Sequence, residues 1–389
     1  MKFGLDLAPQ HKVFGGFAAY SFTMGNIFPR FAELKHAMGV AEGAFGLGLI
    51  GAPVGTLIAL TFGTPLLERI GYRRALLILI PLLSLFYAVA TLAPNPAWFF
   101  TLLLPVGLAV GGIEMILNLE ADRTEHLIGR RIMNRSHAFW SFGFFAAGFL
   151  GGGIAQAGIS PQLHLFAMVP VITILSLVVL GRFAPAPART VETAATPKFA
   201  APSVGIMALV AVTLAAMAME GGYMDWSTIY MDSIYGSVPF IAALGVALGA
   251  FCQGVTRYFA DGFVERFSPT LVARVLLCIL TAGIVLVFLP MGEYVSLLGF
   301  ALMGVGSSAI FPLAMSAAAQ RTDRPAAINV AALAQTSFLT FMLAPPILGF
   351  IAQHWGITWS YGIGLPLIVL SFAFTGALGR KPVPHGVAS

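Results

Sequence analysis

The chain of 389 residues is 58% hydrophobic and only 10% charged, against roughly 25% charged in an ordinary soluble domain, which excludes a water-soluble globular shell. Its net charge of +5 does not argue for nucleic acid, because in a lipid-embedded chain the position of the basic residues carries the information. Cys252 and Cys278 both fall in apolar runs and offer neither a disulfide framework nor metal-ligand spacing, so no metal and no cofactor are expected.

The apolar runs are long enough to cross a hydrocarbon core of roughly 30 Å. Six are predicted at about 13–31, 44–64, 75–93, 98–118, 137–157 and 163–182, and six more at about 203–230, 238–258, 271–290, 294–318, 327–352 and 357–378. The fold expected is an all-α membrane protein, with twelve transmembrane helices in two pseudo-symmetric six-helix bundles. Residues 1–183 form the first bundle, 184–201 an Ala- and Pro-rich linker, and 202–389 the second bundle. Residues 1–12 are polar and lack the pattern of a cleavable signal, so span 1 is expected to be retained.

Span 1 supplies Asn26 and then Arg30, with Glu33 on the same helical face. Arg30 reads either as a bidentate clamp for an anionic solute or as a gate residue held by Glu33 or Asp232. Span 4 carries Glu114 near its last turn, with Asn118 one turn on. Span 5 opens with His137 and Trp140; His137 can bond to a helix end or to Glu120, or contribute to a solute site. Its glycines, Gly143, Gly148 and Gly151 to Gly153, read as helix-packing surfaces.

Span 7 carries Glu220 and Asp225, five residues and therefore about 140° apart on an ideal helix, followed by Trp226 and Tyr230. A carboxylate inside a bilayer costs about 2.5 to 3.5 kcal/mol on insertion scales, so each needs a partner, water or a proton. Glu114, Glu220 and Asp225 are therefore the candidate proton carriers, although Asp225 can also reach water at the far interface beside its aromatic neighbours. Trp140, Trp226, and Gln335 on span 11 join Asn26, Arg30, Asn118 and His137 as candidate solute contacts.

With the N-terminus placed in the cytoplasm, the even-numbered turns, the linker and the termini hold every basic residue of the 21 except Arg30 and Lys35. The positive-inside rule then places both termini in the cytoplasm. Gly48 to Arg69 also aligns with Gly245 to Arg266 at one offset, bringing Glu68-Arg69 onto Glu265-Arg266. Parallel repeats of this kind predict a path along their shared axis.

The turn Thr64-Pro65-Leu66-Leu67-Glu68-Arg69-Ile70-Gly71-Tyr72-Arg73-Arg74 resembles the signature between helices 2 and 3 of the Major Facilitator Superfamily. It departs from the pattern in having Thr64 where a glycine opens the motif and Glu68 where an aspartate stands. Arg257, Asp261, Glu265 and Arg266 resemble the second-half version. An acid beside several guanidiniums at the cytoplasmic helix ends can form charge-assisted bonds that break as the bundles rock, so Glu68, Arg69, Arg73, Arg74, Arg257, Asp261, Glu265 and Arg266 are candidate elements of a conformational latch.

Glu220 to Tyr230, with Glu114 to Asn118, Ser136-His137 to Trp140-Ser141 and Pro345-Pro346 with Gly349, resembles a bacterial branch grouped loosely with fucose-permease-like carriers. The resemblance spans essentially the whole chain and implies the fold more strongly than the substrate. Drug-proton antiporters of the superfamily carry an Arg in helix 4 and a Pro in a helix 5 motif; here Phe149 stands where that Pro would be, which disfavours drug antiport.

The function expected is secondary transport of a small polar, sugar-like solute by alternating access, coupled to protons, in a bacterial inner membrane. The working unit is a single chain surrounded by lipid, with no enzymatic activity and no catalytic residue. Efflux of amphipathic metabolites, suggested by the Phe and Met content, and uncoupled facilitation stay open as alternatives.

Overall fold

The computed structural model describes residues 4–187 and 200–379, with the side chains of residues 261 and 265 left out. Helices are the regular structure of the described residues, and eleven of them are long and apolar enough to span a membrane. Numbered in chain order these are α2 Glu42–Phe62, α3 Tyr72–Ala90, α4 Pro96–Ile128, α5 Met133–Gln156, α6 Pro161–Leu180, α7 Val204–Tyr235, α8 Pro239–Ala260, continued as helix to Arg266, α9 Pro269–Phe288, α10 Glu293–Ala319, α11 Ala326–Trp355 and α12 Ile357–Gly379. Helix α1, Pro9–Gly25, is shorter, and a turn at Phe28–Arg30 and a further helix Phe31–Met38 extend it. Twelve crossings result. Most of the expected linker, including Arg189, Glu192 and Lys198, lies outside the described residues, as do Lys2, Arg380 and Lys381.

Local sequence sets the helix ends. Asn95-Pro96, Ser160-Pro161 and Ser268-Pro269 each place a capping side chain before a proline, and each side chain accepts from the N–H three residues on. Gly39, Gly129 and Gly236 close helices in the left-handed conformation, at φ of 63°, 64° and 60°.

Several helices run past the ends of their apolar stretches. Helix α4 continues about three turns beyond the expected end near 118, because its polar extension is satisfied inside the fold. Arg123 reaches Glu120 at 3.4 Å and lies over the Tyr72 ring at 5.4 Å, and Glu120 accepts from the Ala186 N–H at 2.8 Å.

The halves α1–α6 and α7–α12 meet along two seams. In the first, α5 packs on α8 over most of its length: Gly254 receives Ser141 and Phe142, Gly148 meets Ala247, and Gly152 meets Ala243. Small residues allow this approach where lipid offers no hydrophobic drive between helices. In the second, only the start of α2 meets α11; a Cβ at Gly46 would stand 2.6 Å from the Pro345 carbonyl. The rest of α2 packs on α4 instead, with Thr56 donating to the Gly107 carbonyl at 3.2 Å.

The face that carries the linker is the open one. A cavity of about 690 Å³ lies there between the halves, lined by Glu125, Arg131 and Asn134 from one and Val264, Pro312 and Asp323 from the other. On the opposite, far face the halves touch, and His36 pairs with Asp232 across them at 2.7 Å.

Candidate solute and proton site

The second half builds its polar cluster from two helix faces. Glu220 and Tyr223 stand three residues apart on α7, and Gln253 and Arg257 four apart on α8, so each pair shares a face. The faces meet where Arg257 Nη2 donates to Glu220 Oε1 at 3.2 Å. Both side chains are about one-eighth exposed, at 13% and 12%, which keeps the pair largely desolvated and yet reachable.

Arg257 has two further acceptors. Its Nε donates to the Ser308 carbonyl at 3.0 Å, and its Nη1 to Ser141 Oγ, on α5 of the other half, at 3.3 Å. Ser308 is free to accept because the residue four positions on is Pro312, which has no N–H to close the helical bond. Helix α10 accordingly breaks between Ser307 and Ile310. Ser141 also lies 3.1 Å from Gln253 Oε1.

This position corrects the sequence reading of Arg257. The apolar run ends near 258, which places Arg257 in a turn with the latch residues; α8 instead runs to Arg266, leaving Arg257 about two and a half turns inside it. The signals for its true place were the Gln253–Arg257 spacing and the Ser308–Pro312 spacing.

In the first half, Glu114 stands at the middle of the 33-residue α4 and not near its last turn. The buried Tyr20 hydroxyl on α1 donates to Glu114 Oε1 at 3.2 Å. Asn118 donates to the Glu114 backbone carbonyl at 2.9 Å, and its Oδ1 lies 3.2 Å from His137 Nε2. His137 therefore pairs with Asn118 and not with Glu120. The His137 carbonyl in turn lies 3.2 Å from Ser141 Oγ. Polar residues from Glu114 through Asn118, His137 and Ser141 to Arg257 and Glu220 thus line up from one half to the other, two of the links running through the backbone carbonyls of Glu114 and His137.

The remaining candidates are dispersed. Asp225 is half-buried, has no hydrogen-bond or ion partner among the described residues, and lies within electrostatic reach of Tyr87 and Tyr361. Trp140 is half-buried and stacked on Phe144, at 5.2 Å between centroids. Trp226 is fully buried at the α2–α11 seam, edge-on to Phe45 and against Gly349, so it packs the halves together out of a solute's reach. Asn26 is buried as well, bonded to the Phe22 carbonyl and to His164.

Arg30 is completely buried and bonds Glu33 at 2.8 Å and the Ile159 carbonyl at 2.5 Å, on the far face and away from the Arg257–Glu220 pair. Asp232, its other expected partner, belongs to His36. Gln335 accepts from the Ala200 N–H at 3.0 Å, next to the linker.

Among the described side chains, no latch residue meets another across the halves. Glu68, Arg69 and Arg74 are exposed on the linker face, and Arg73 donates to the Gly181 carbonyl within its own half. Arg266 lies over the Phe267 ring at 5.7 Å. The side chains of Asp261 and Glu265 fall outside the described residues.

A family model described as Major Facilitator Superfamily matches residues 13–339. An uncharacterised transporter, y4wD of Sinorhizobium fredii, is 31% identical over 354 residues, covering 89% of this chain and 92% of that protein. The fold is similar to a D-xylose-proton symporter, with a TM-score of 0.71 at 14% identity over 96% of this chain and 97% of that one. It is also similar to the Escherichia coli fucose:proton symporter, with a TM-score of 0.59 at 17% identity over 96% and 98%.

Proposed function

The chain belongs to the Major Facilitator Superfamily, and on that premise we propose that it carries a small polar organic solute across the membrane together with protons. The observation that carries this reading is the desolvated Arg257–Glu220 pair bonded across the halves to Ser141, with Glu114, Asn118 and His137 on the neighbouring helices of the other half. Ionisable groups near the interface of the halves support the reading, because intramembrane carboxylates serve proton relays. Mid-membrane sites between repeats, beside interrupted helices such as α10, are where alternating-access carriers hold solute and coupling ion.

Rocking of the two halves would close the linker-face cavity and part the far face. Glu68, Arg69, Arg73 and Arg74 in one half and Arg266 in the other would act as latch elements as that cavity closes. The distribution of basic residues supports a cytoplasmic linker face and a bacterial inner membrane location, with residues 1–183 and 202–389 as the moving bodies of a single-chain unit. Asn118, His137 and Trp140 are the first-half groups best placed to touch the solute.

In proteoliposomes holding a pH-sensitive dye, solute addition is expected to move protons with the solute. Glu220→Gln is expected to abolish concentrative uptake while solute exchange persists. Solute uptake with no proton movement in the unaltered protein would refute coupling.

A further inference from the structure

We infer that the solute carries a carboxylate group, and that this group takes the place of Glu220 on Arg257 once Glu220 has accepted a proton. The inference rests on the carrier reading above and names the class of solute: a hydroxylated organic acid of sugar-acid type.

Two buried donors beside Arg257 carry the argument. Gln253 is fully buried, and its Nε2 has no acceptor; its Oε1 faces Ser141. Tyr223 is fully buried with its hydroxyl unpartnered, and it lies within electrostatic reach of Glu220 and Arg257. Buried donors are nearly always satisfied in folded proteins, so each exception calls for an explanation, of which an acceptor brought by a ligand is one. Both stand one turn from the ion pair on the faces that meet there. Beside Arg257, whose own donors reach Glu220, Ser141 and the Ser308 carbonyl, they make a pair of donors lacking acceptors, which a carboxylate with neighbouring hydroxyls would supply once Glu220 has given up its place. A guanidinium binds a carboxylate as a two-pronged fork.

The electrostatics then fix the proton. Arg257 and Glu220 balance each other, and two carboxylates crowded on one guanidinium in a desolvated site do not both stay ionised. The incoming anion therefore requires that Glu220 bind one proton, and release of the anion returns Glu220 to Arg257 as that proton leaves. The charged and titratable groups around Glu220 are Arg257 and Cys252 from α8, Tyr223 on its own helix, and His137 from α5 through its electrostatic contact with Arg257. Helices α10, α11 and α12 carry titratable groups only at Glu293, Tyr294, His354 and Tyr361.

The test is ligand-induced thermal stabilisation of the purified full chain with gluconate, glucuronate, glucose and glucosamine, between pH 5.5 and 8. The two acids are expected to stabilise and the other two compounds not, with affinity weakening by up to about tenfold per pH unit as pH rises. Glu220→Gln is expected to hold the acids with no such pH dependence, and Arg257→Gln to lose them. Tyr223→Phe removes one hydroxyl and keeps the ring against Gly249; it is expected to fold normally and to bind the acids about tenfold more weakly.

Equal stabilisation by glucose, stabilisation by glucosamine alone, no stabilisation by any of the four, or full affinity in both Tyr223→Phe and Gln253→Leu would each overturn the inference. Binding of the acids through Arg257 without proton movement in vesicles would instead sink the coupled carrier and leave the anion site standing. Proton-coupled uptake of glucose would do the reverse.

Discussion

Arg257 concentrates the interactions of the site. It ties α8 to α7, to the broken turn of α10 and to α5 of the other half, so its removal leaves Glu220 charged, largely desolvated and unpaired. Arg257→Ala is expected to cost about 3 kcal/mol, because breaking a buried pair from one side is far worse than removing both partners. Arg257→Ala combined with Glu220→Ala is expected to recover most of that loss, as read from thermal stability in detergent. Glu114, Asn118, His137 and Glu220 stand out in the sequence as candidate site residues because charge and amide groups are conspicuous within apolar runs. The depth of Arg257 was not, since a basic residue at the end of a hydrophobic stretch looks like an interface residue until the helix is seen to continue. The burial of Asn26, Arg30 and Trp226 was not legible for the complementary reason: composition shows that a side chain is polar or aromatic, and not whether a neighbouring helix has already covered it.

At the scale of the element, the interruption of α10 follows from one proline. Pro312→Ala would return an N–H to the Ser308 carbonyl, which then need not accept from Arg257. The variant is expected to be more stable to heat and slower in solute uptake, a combination that simple damage does not produce.

The turn between α10 and α11 shows a second element-level effect, outside the spans. Arg321 holds the Asp323 carboxyl well below the usual carboxylate range, with help from Asn329 and Ser203. A depressed folded-state value contributes stability above the unfolded value, near 3.9, and that contribution disappears as pH falls through the folded one. The difference in melting temperature between the unaltered chain and Asp323→Asn is therefore expected to stay constant from about pH 8 to 5 and to narrow below about pH 4. Span number and order were readable from hydropathy. Span ends were not, because polar extensions such as that of α4 persist through pairs like Glu120–Arg123 that no hydropathy count contains.

For the whole molecule, the two seams differ in extent. The α5–α8 seam is close along most of its length and the α2–α11 seam only near the far face, which leaves the linker face open around its cavity. The far face is held by Arg30–Glu33 and Lys35–Glu42 within one half and by His36–Asp232 between them. That last pair is exposed, at 63% and 34%, and a surface pair of this kind contributes about 0.2–1 kcal/mol. The closed far face therefore rests on helix packing more than on charge.

The Arg257–Glu220 pair lies wholly within the second half, and the first half meets it through the neutral hydroxyl of Ser141. When the halves move apart, the charges of this pair do not have to be separated in a medium of low polarity; the pair gives up only its bond to Ser141. The carrier therefore moves the same net charge when empty as when loaded with one anion and one proton. Uptake should then be electroneutral, its rate unchanged when the transmembrane voltage is clamped with potassium and valinomycin, whereas each uncompensated charge would add about 2.3 kcal/mol per 100 mV and make the rate follow the voltage.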